Sequence, residues 1–395
     1  MISMNNKKPK QVSQERNIPI DLLETEILPK LPVKSLLRFK VVSKQWLSII
    51  SNPQFRKLHL HRSISSQCGT FLVESSNDSL YFLNHANHGT KSQDPVIHRD
   101  LNPYHGPRSR RTNVVDSSNG LICLVINTET LCFLNPATRV CREVICPKKR
   151  FEFYVNCLLA FGYSTPRDEY KLLYLNGENS LAVSKAHVYT LRTNDDLRNW
   201  RELSVDDALR PYWFNFRSVG NIINEKAHWL VRKKRTYGSG YCFLAFDLTS
   251  ETFNEVSLPQ LSGENQDIIS TMFRDGPRGY FFIGGIEQKL CLFYQEWKNN
   301  LEVWMMMRYG VSESWSRIYT FDIGPNSVIG VGMCCNSCKI TREEGKLFFV
   351  VSDAKFLLVK DLNVRQSPCL EVFDIGCVVK SIRRHVNSFV SPFLC

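Results

Sequence analysis

Cysteine and histidine are the residue types whose chemistry suggests a first hypothesis for this chain, that of a bound metal ion. The 395 residues include 14 cysteines and 9 histidines, and Cys335 with Cys338 forms a Cys-x-x-Cys pair next to Cys334. A structural zinc site needs a second such pair, or two suitably spaced histidines, to complete four ligands. Neither follows in the sequence, so we expect no metal and no other cofactor.

Catalytic motifs are the second hypothesis. Serine hydrolases, metalloproteases, phosphate-binding loops and dinucleotide sites are marked by Gly-x-Ser-x-Gly, His-Glu-x-x-His, Gly-x-x-x-x-Gly-Lys and Gly-x-Gly-x-x-Gly. The sequence contains none of the four, and nothing in it nominates a cysteine as an activated nucleophile. We therefore expect a binding protein and not an enzyme.

Three clusters of basic residues could recognise an acidic or phosphorylated ligand. They are Arg108 with Arg110 and Arg111, then Lys148, Lys149 and Arg150, and finally Arg232, Lys233, Lys234 and Arg235. Each falls between β-rich runs, where a solvated loop is one interpretation and a recognition loop is the other. Aromatic residues adjoin the second and third clusters, which favours recognition. We take those two clusters as candidate target-binding residues.

The distribution of charge discriminates between classes of partner. Of a net charge of +12, residues 1–62 contribute +8, from twelve Lys and Arg against four Asp and Glu. A nucleic-acid-binding protein would be expected to carry its basic face on the main domain, so an acidic protein partner fits better. No stretch approaches the roughly 18 apolar residues that span a bilayer, and residues 1–16 resemble a disordered basic tail more than a signal peptide. We expect a cytoplasmic or nuclear protein that has reduced cysteines and does not bind membranes.

Residues 17–62 have the pattern of three short helices. Pro19 suits a first helical turn, Pro29 and Pro32 predict a tight corner, and Ser43 is a candidate N-cap for the third helix. A domain of this size hides only about 60% of its surface, so it cannot bury all of its apolar side chains. The leftover apolar face indicates either a partner or an ordinary helical subdomain packed on the rest of the chain.

These residues resemble an F-box. The resemblance rests on the proline corner, Val33-Lys-Ser-Leu-Leu-Arg-Phe39 and Val42-Ser-Lys-Gln-Trp46, which occur together in that order. It implies a docking element that binds a Skp-family adaptor and, through it, a cullin and a RING protein. The expected adaptor contacts are Pro19, Leu22, Leu31, Pro32 and Val33, with Leu23, Ile27 and Trp46 expected in the helical core.

From residue 63 onward, short β-rich runs separated by turn residues replace the helical pattern, which predicts an all-β sandwich, barrel or propeller. Internal repetition favours the propeller. The segment Asn135–Pro147 recurs as Asp247–Pro259, 112 residues later, and Trp200 with its neighbours recurs around Trp315, 115 residues later. Two blades fit inside this period, so Trp200 and Trp315 should occupy equivalent, largely buried strand positions in non-adjacent blades.

The β region also resembles the plant F-box-associated, kelch-like domain. The similarity lies in Ser118–Cys123, Leu134–Thr138, Phe161–Tyr163, Asp168–Leu172 and Ala245–Leu248. Regular Gly-Gly pairs are missing, since only Gly284-Gly285 occurs. The fold prediction is therefore an α+β multidomain chain: a three-helix F-box over residues 17–62 and an all-β propeller over 63–395, with six blades or alternatively seven.

Together the two resemblances imply the substrate-recognition subunit of a Skp–cullin–F-box ubiquitin ligase. Such a subunit acts by tethering its target, which raises the effective concentration of activated ubiquitin around it. S-locus F-box proteins have the same layout, but the sequence does not choose a pathway or a target. The alternative is an F-box scaffold or transcription cofactor that acts outside a ubiquitin ligase.

Overall fold

A computed structural model describes the chain between residues 19 and 393, with internal gaps. The described ranges are 19–65, 70–75, 79–84, 113–126, 130–146, 157–179, 182–191, 200–204, 206–214, 219–234, 240–259, 279–296, 300–322, 341–343, 346–350, 356–361, 371–374 and 379–393. The predicted tail of residues 1–16 lies outside them.

The helical domain, residues 19–65, begins with α1 (Ile20–Leu22), which continues as a π turn (Leu23–Ile27) and a 3-10 turn (Leu28–Lys30). It goes on with α2 (Val33–Phe39), α3 (Lys44–Ser51) and α4 (Pro53–Ser65). The proline corner forms as expected, because the helix ends at Leu31, whose backbone is extended. Ser43 caps α3, since its Oγ accepts the backbone N–H of Trp46 at 3.1 Å.

The predicted count of three helices is wrong. The short turn expected to end at His61 is a helix of 13 residues, α4, which passes the predicted domain boundary at residue 62. Pro53 begins this helix, a position where the missing N–H leaves no helical hydrogen bond unmade.

Twenty-four strands, one short α-helix and one 3-10 turn (Ser312–Ser314) are described after the helical domain. They are β1 (Thr70–Ser75), β2 (Leu80–Asn84), β3 (Asn113–Ser118), β4 (Leu121–Val125), β5 (Thr130–Asn135), β6 (Val140–Ile145), β7 (Cys157–Ser164), β8 (Glu169–Asn179), β9 (Ala182–Thr190), β10 (Trp200–Leu203), α5 (Asp206–Leu209), β11 (Tyr212–Trp213), β12 (Asn221–Ile223), β13 (Lys226–Lys233), β14 (Tyr241–Asp247), β15 (Phe253–Val256), β16 (Gly279–Ile286), β17 (Lys289–Glu296), β18 (Asn300–Met306), β19 (Trp315–Asp322), β20 (Thr341–Glu343), β21 (Lys346–Val350), β22 (Phe356–Asp361), β23 (Glu371–Asp374) and β24 (Val379–Arg384).

These strands form a β-propeller of antiparallel sheets. Blades 1 to 5 are β3–β6, β7–β10, β11–β15, β16–β19 and β20–β23. A three-stranded closing sheet, in the order β2-β1-β24, combines strands from the two ends of the β region. Neighbouring sheets meet along their inner strands, from β24 to β3, β3 to β7, β7 to β12, β12 to β16, β16 to β20 and β21 back to β24.

The predicted count of six or seven blades is wrong, since the described residues form five. The prediction assumed four strands for every blade. Blade 3 has five strands, because β11 and β12 both pair with β13, and three other strands form the closing sheet.

Apolar clusters fill the spaces between sheets, and they explain why a strand such as β4 is apolar throughout. Leu121, Cys123 and Val125 of β4 face the cluster between blades 1 and 2. Ile122 and Leu124 of the same strand face the cluster shared with the closing sheet. Because side chains alternate between the two faces of a strand, a strand buried on both sides needs apolar residues at every position.

The predicted repeat is confirmed by two equivalent tryptophans. Trp200 begins the outer strand of blade 2, and its indole N–H donates to Ile145 O of blade 1 at 2.9 Å. Trp315 begins the outer strand of blade 4, and its indole N–H donates to Ser257 O next to blade 3 at 2.8 Å. Each tryptophan thus ties its own blade to the preceding one. Trp315 is buried as expected, whereas Trp200 is only partly buried.

The second repeated motif is a turn closed by a side-chain oxygen. Asn135 Oδ1 accepts the N–H of Ala137 at 2.9 Å, and Asp247 Oδ1 accepts the N–H of Thr249 at 2.8 Å. The fourth residue after each, Arg139 and Glu251, has a left-handed backbone with φ of 59° and 58°. Asn and Asp share this turn because either side chain supplies the acceptor.

Buried polar side chains add links between blades. Lys171 of blade 2, only 1% exposed, donates to Leu248 O at 2.8 Å and to Glu251 Oε1 at 2.7 Å, both in blade 3. His228 of blade 3 lies between Asn221 O at 3.3 Å and the hydroxyl of Tyr309 at 2.8 Å. Because a carbonyl can only accept, Nδ1 of His228 carries the proton and Nε2 accepts from Tyr309.

We expect Trp315→Ala to lower the free energy of unfolding by about 3 to 5 kcal/mol, because it leaves a cavity beside Phe243. Trp315→Phe keeps most of the ring and should cost about 1 kcal/mol for the lost hydrogen bond. Trp200→Ala should cost less than Trp315→Ala, since Trp200 is more exposed. Denaturant unfolding of the three variants checks this, and equal losses for all three would contradict it.

We expect the free energy of unfolding to fall between pH 7 and pH 5. Burial lowers the pKa of His228 to about 4 from an ordinary 6.5, so the unfolded chain binds more protons in this range and is favoured as the pH falls. Between pH 7 and pH 5, the free energy of unfolding of the His228→Gln variant should therefore fall by about 2 kcal/mol less than that of the wild type. Unfolding curves at the two pH values measure it, with His61→Gln on the exposed surface of α4 as the control. Equal pH dependence in both variants would contradict the role of His228.

Candidate functional site

The helical domain is built around a small apolar core that includes one residue from the far end of the chain. The core contains Leu23, Leu28, Val33, Leu36, Ile49, Ile50, Phe55 and Phe389. Trp46 packs against it, as expected, and stacks edge-on against Phe39 with ring centroids 5.1 Å apart. Ile27, also expected in the core, is partly buried.

The proline corner is held by α4. Nε2 of His59 donates to Leu31 O at 3.0 Å, and the Ser63 hydroxyl lies 3.4 Å from Nδ1 of the same ring. Burial lowers the pKa of His59 below its ordinary value, which keeps the imidazole neutral at neutral pH. The carbonyl that the corner leaves without a helical partner is therefore satisfied from inside the domain.

The predicted adaptor contacts divide between surface and core. Pro19, Leu22 and Pro32 are exposed, and Leu31 is partly buried against the core. Val33 is only 2% exposed and belongs to the core, so it has no surface to offer a partner. The first residue of α2 points inward, and the sequence pattern did not show this.

Five further apolar residues of the helical domain are exposed, and the sequence prediction missed them as candidate contacts. They are Ile20, Val41, Val42, Leu47 and Ile64, and Val41 is the most exposed at 88%. Val41 and Val42 lie in the turn after α2, where solvent-facing valines are unexpected. Leu47 lies off the stripe that Trp46, Ile49 and Ile50 form on α3, and this signal could have been read from the helical period.

The helical domain lies against one face of the propeller, which we call the near face. Ala137 of the β5–β6 turn packs against the helical core, and Lys57 Nζ of α4 lies 2.5 Å from Asp168 Oδ2 of the β7–β8 turn. The β12–β13 turn lies beside the β7–β8 turn, since the Glu225 carboxylate accepts the backbone N–H of Thr165 at 3.0 Å. We call the opposite face, where the other ends of these antiparallel strands lie, the far face.

The third basic cluster lies at the far face. Arg232 and Lys233 are the last residues of β13, and Lys234 follows them. The expected loop is therefore partly strand: Arg232 pairs with Trp213 of β11 and with Tyr241 of β14. Arg235 lies outside the described residues.

The second basic cluster, Lys148, Lys149 and Arg150, also lies outside them. It belongs to the segment between β6 and β7. The strand that follows this gap, β7, runs from the far face to the turn that meets Lys57, so its first residue, Cys157, lies at the far face.

The described part of the third cluster combines positive charge with an exposed aromatic ring. Nζ of Lys234 lies 4.8 Å from the centroid of the Trp213 ring, which is 38% exposed. Lys233 pairs with Glu255, which also accepts from the Tyr212 hydroxyl at 2.9 Å. The neighbouring carboxylate is therefore occupied, and Arg232 remains exposed beside Trp213.

The cysteines of the described residues are buried, apart from Cys141. Burial raises the pKa of Cys157 and of Cys291 to about 12. No described group of three His, Cys, Asp or Glu side chains could hold a metal ion. Cys334, Cys335 and Cys338 fall in a range without description. Among the described helices, none is both long and apolar enough to cross a bilayer.

Comparison with known proteins gives matches to both parts of the chain. Residues 71–395 match the model of the F-box associated beta propeller domain, and residues 17–58 match that of the F-box domain. F-box protein CPR1 of Arabidopsis thaliana is 26% identical over 327 residues, covering 77% of this chain and 72% of that protein. Putative F-box protein At5g15660 of the same plant is 28% identical over 335 residues, covering 81% and 69%.

Proposed function

The chain belongs to the family of proteins that join an F-box to an F-box-associated β-propeller, and from this premise we propose that it is the substrate-recognition subunit of a Skp–cullin–F-box ubiquitin ligase. The observation that carries the proposal is the helical domain with its exposed apolar residues, held on one face of a propeller. Its partners would be a Skp-family adaptor, with a cullin and a RING protein beyond it, and a target protein bound by the propeller.

Exposed apolar surface supports the adaptor site. Ile20, Leu22, Val41, Val42 and Leu47 are each at least 46% exposed within a domain of fewer than fifty residues. Covering such surface with a partner is favourable because it removes apolar area from water. We assign Pro19, Leu22 and Pro32 to the adaptor contact, together with these newly found residues, and Leu31 to its partly buried edge.

The far face supports the target site. The helical domain contacts the near face at the turns of blades 1 and 2, so a target bound at the far face would not compete with the adaptor. Arg232 and Lys234 beside Trp213 would favour an acidic or phosphorylated segment, since charge-assisted hydrogen bonds and aromatic contact can act together there. The chain would act by positioning, because a tethered target meets activated ubiquitin at high effective concentration.

Copurification tests the whole proposal against the alternative. A ligase subunit expressed in plant cells should recover adaptor and cullin together, and proteins that bind it should accumulate when the proteasome is blocked. A scaffold or transcription cofactor outside the ligase would recover adaptor without cullin, or neither, and its bound proteins would not change in abundance.

We expect the double variant Leu22→Ala, Pro32→Ala to weaken binding of the Skp-family adaptor by roughly 30-fold, or about 2 kcal/mol, because it removes two exposed apolar contacts without opening the core. Titration calorimetry with purified adaptor measures the change. Ile145→Ala, an exposed apolar residue of the propeller, is the matched control and should bind as the wild type does. Wild-type affinity in the double variant would refute this adaptor site.

We expect the double variant Arg232→Glu, Lys234→Glu to lose most of the target proteins that the full chain captures while the proteasome is blocked, without loss of adaptor. Salt should weaken wild-type capture of the same proteins, because exposed charges are screened. Arg167→Glu, an exposed arginine of the near face, is the matched control. Equal recovery of target proteins by both variants would show that Arg232 and Lys234 are solvated surface residues and do not bind the target.

A further inference from the structure

The segment that follows the last strand, residues 385–393, runs as non-helical, non-strand chain along the near face. We call it the C-terminal segment. It is fastened to blade 1 by side chains: Nδ2 of Asn135 donates to Ser388 O at 3.0 Å and to Val390 O at 2.6 Å. The hydroxyl of Ser388 donates to Asn119 O at 2.6 Å, and Nη1 of Arg142 donates to Pro392 O at 3.3 Å.

Asn135 differs from Asp247, the equivalent residue of the repeat, by the side-chain amide that makes this contact. Asp247, 112 residues later, closes the same kind of turn with Oδ1, so the turn itself does not require an amide. Only the NH₂ group of Asn135 can donate to the two carbonyls of the C-terminal segment. The amide thus performs a task at blade 1 that the equivalent carboxylate does not perform at blade 3.

Gly120 shows how closely the C-terminal segment approaches blade 1. A Cβ atom on Gly120 would lie 2.1 Å from Ser388 Oγ and 2.7 Å from Val386 O, and the residue has φ of 89°. A side chain there would have to displace the segment as well as adopt a left-handed backbone. Glycine therefore meets two separate requirements at this turn.

On its other side, the C-terminal segment inserts Phe389 into the helical domain. Phe389 is 4% exposed and belongs to the core of that domain. Its ring lies 5.3 Å from the ring of His59, centroid to centroid, and Nζ of Lys40 lies 5.6 Å from its centroid. A residue more than 300 positions away thus completes a core otherwise formed by residues 23–55.

The other described contacts across this boundary are weaker. Lys57 and Asp168 form an ion pair whose side chains are both more than half exposed, and exposed pairs contribute little. Ala137 offers only a methyl group to the helical core. Buried Phe389 therefore carries most of the described apolar contact between the two domains.

From these contacts we propose that the C-terminal segment is a clamp, and that Phe389 is a positioning residue which fixes the F-box on the near face of the propeller. This inference rests on the proposed function. While the clamp holds, the bound adaptor and the target-binding far face keep a fixed separation and orientation. The ubiquitin donor would then reach a defined part of the bound target.

The ion pair between Lys57 and Asp168 supplies a direct readout of the clamp. A water-soluble carbodiimide converts the Asp168 carboxylate to an O-acylisourea, which the Lys57 amine attacks, forming an amide and releasing the urea. Because the two groups are 2.5 Å apart, the link adds no spacer and forms only while the F-box is seated. Mass spectrometry of the digested full chain gives the yield of this cross-link.

The variants Phe389→Ala and Asn135→Asp test the clamp from its two sides. Phe389→Ala empties the F-box pocket, and Asn135→Asp keeps the turn but replaces the donor to the segment with a carboxylate. We expect the Lys57–Asp168 cross-link to fall at least fivefold in both. Asn387→Ala, at an exposed position of the same segment, is the matched control and should keep the wild-type yield.

Asn135→Asp leaves the F-box core and the adaptor contacts intact, so its affinity for purified adaptor should stay within twofold of wild type while ubiquitination of a captured target falls. Wild-type cross-linking in both clamp variants would overturn the clamp. Loss of the cross-link with unchanged ubiquitination would overturn its positioning role. Because the cross-link is measured on the free chain, failure of the wild type to bind adaptor would refute the proposed ligase function and leave the clamp standing.

Discussion

The antiparallel pairing of β1 with β24 is the constraint on which the arrangement of this protein depends. It runs from Phe71 opposite Arg384 to Ser75 opposite Val379 and joins strands about 300 residues apart. Buried Glu74 strengthens it, since its carboxylate accepts from the Ser381 hydroxyl at 2.6 Å and from the N–H of Val114 at 3.2 Å. Because the two strands are antiparallel, the start of β1 and the end of β24 lie at the same face. The helical domain and the C-terminal segment therefore emerge side by side.

This placement gives the propeller two faces with different surroundings. The near face is occupied by the F-box and the C-terminal segment, while the basic residues of β13 and the exposed Trp213 lie at the far face. The propeller between them is tied blade to blade by Trp200, Trp315 and Lys171, which reach backbone carbonyls of neighbouring blades. In the ligase subunit proposed above, such links would matter as much as the binding surfaces, because they would set the distance between adaptor and target.

The candidate site could be predicted only where the signal is local. Prolines and caps predicted the corner at Leu31 and the N-cap at Ser43, and Pro19, Leu22 and Pro32, which were expected to contact the adaptor, are exposed. The same reasoning failed for Val33 and missed Val41 and Val42, because which side of a short helix faces its own core depends on how the helices pack. It also could not place Arg232 on a strand, since a run of basic residues carries no period that distinguishes strand from loop.

The sequence by itself determined the elements and their repetition: apolar runs made strands, Asn135 and Asp247 made equivalent turns, and the recurring tryptophans marked equivalent blades. Tertiary structure alone decided the number of blades, the three-stranded closing sheet, the identity of the two faces and the burial of Phe389 against His59. The physical reason is the range of the interactions. Turns, caps and side-chain alternation act over a few residues and leave a pattern in the chain, whereas ring closure and domain docking join residues hundreds of positions apart. Their contacts are fixed by shape and packing, which a single sequence does not display.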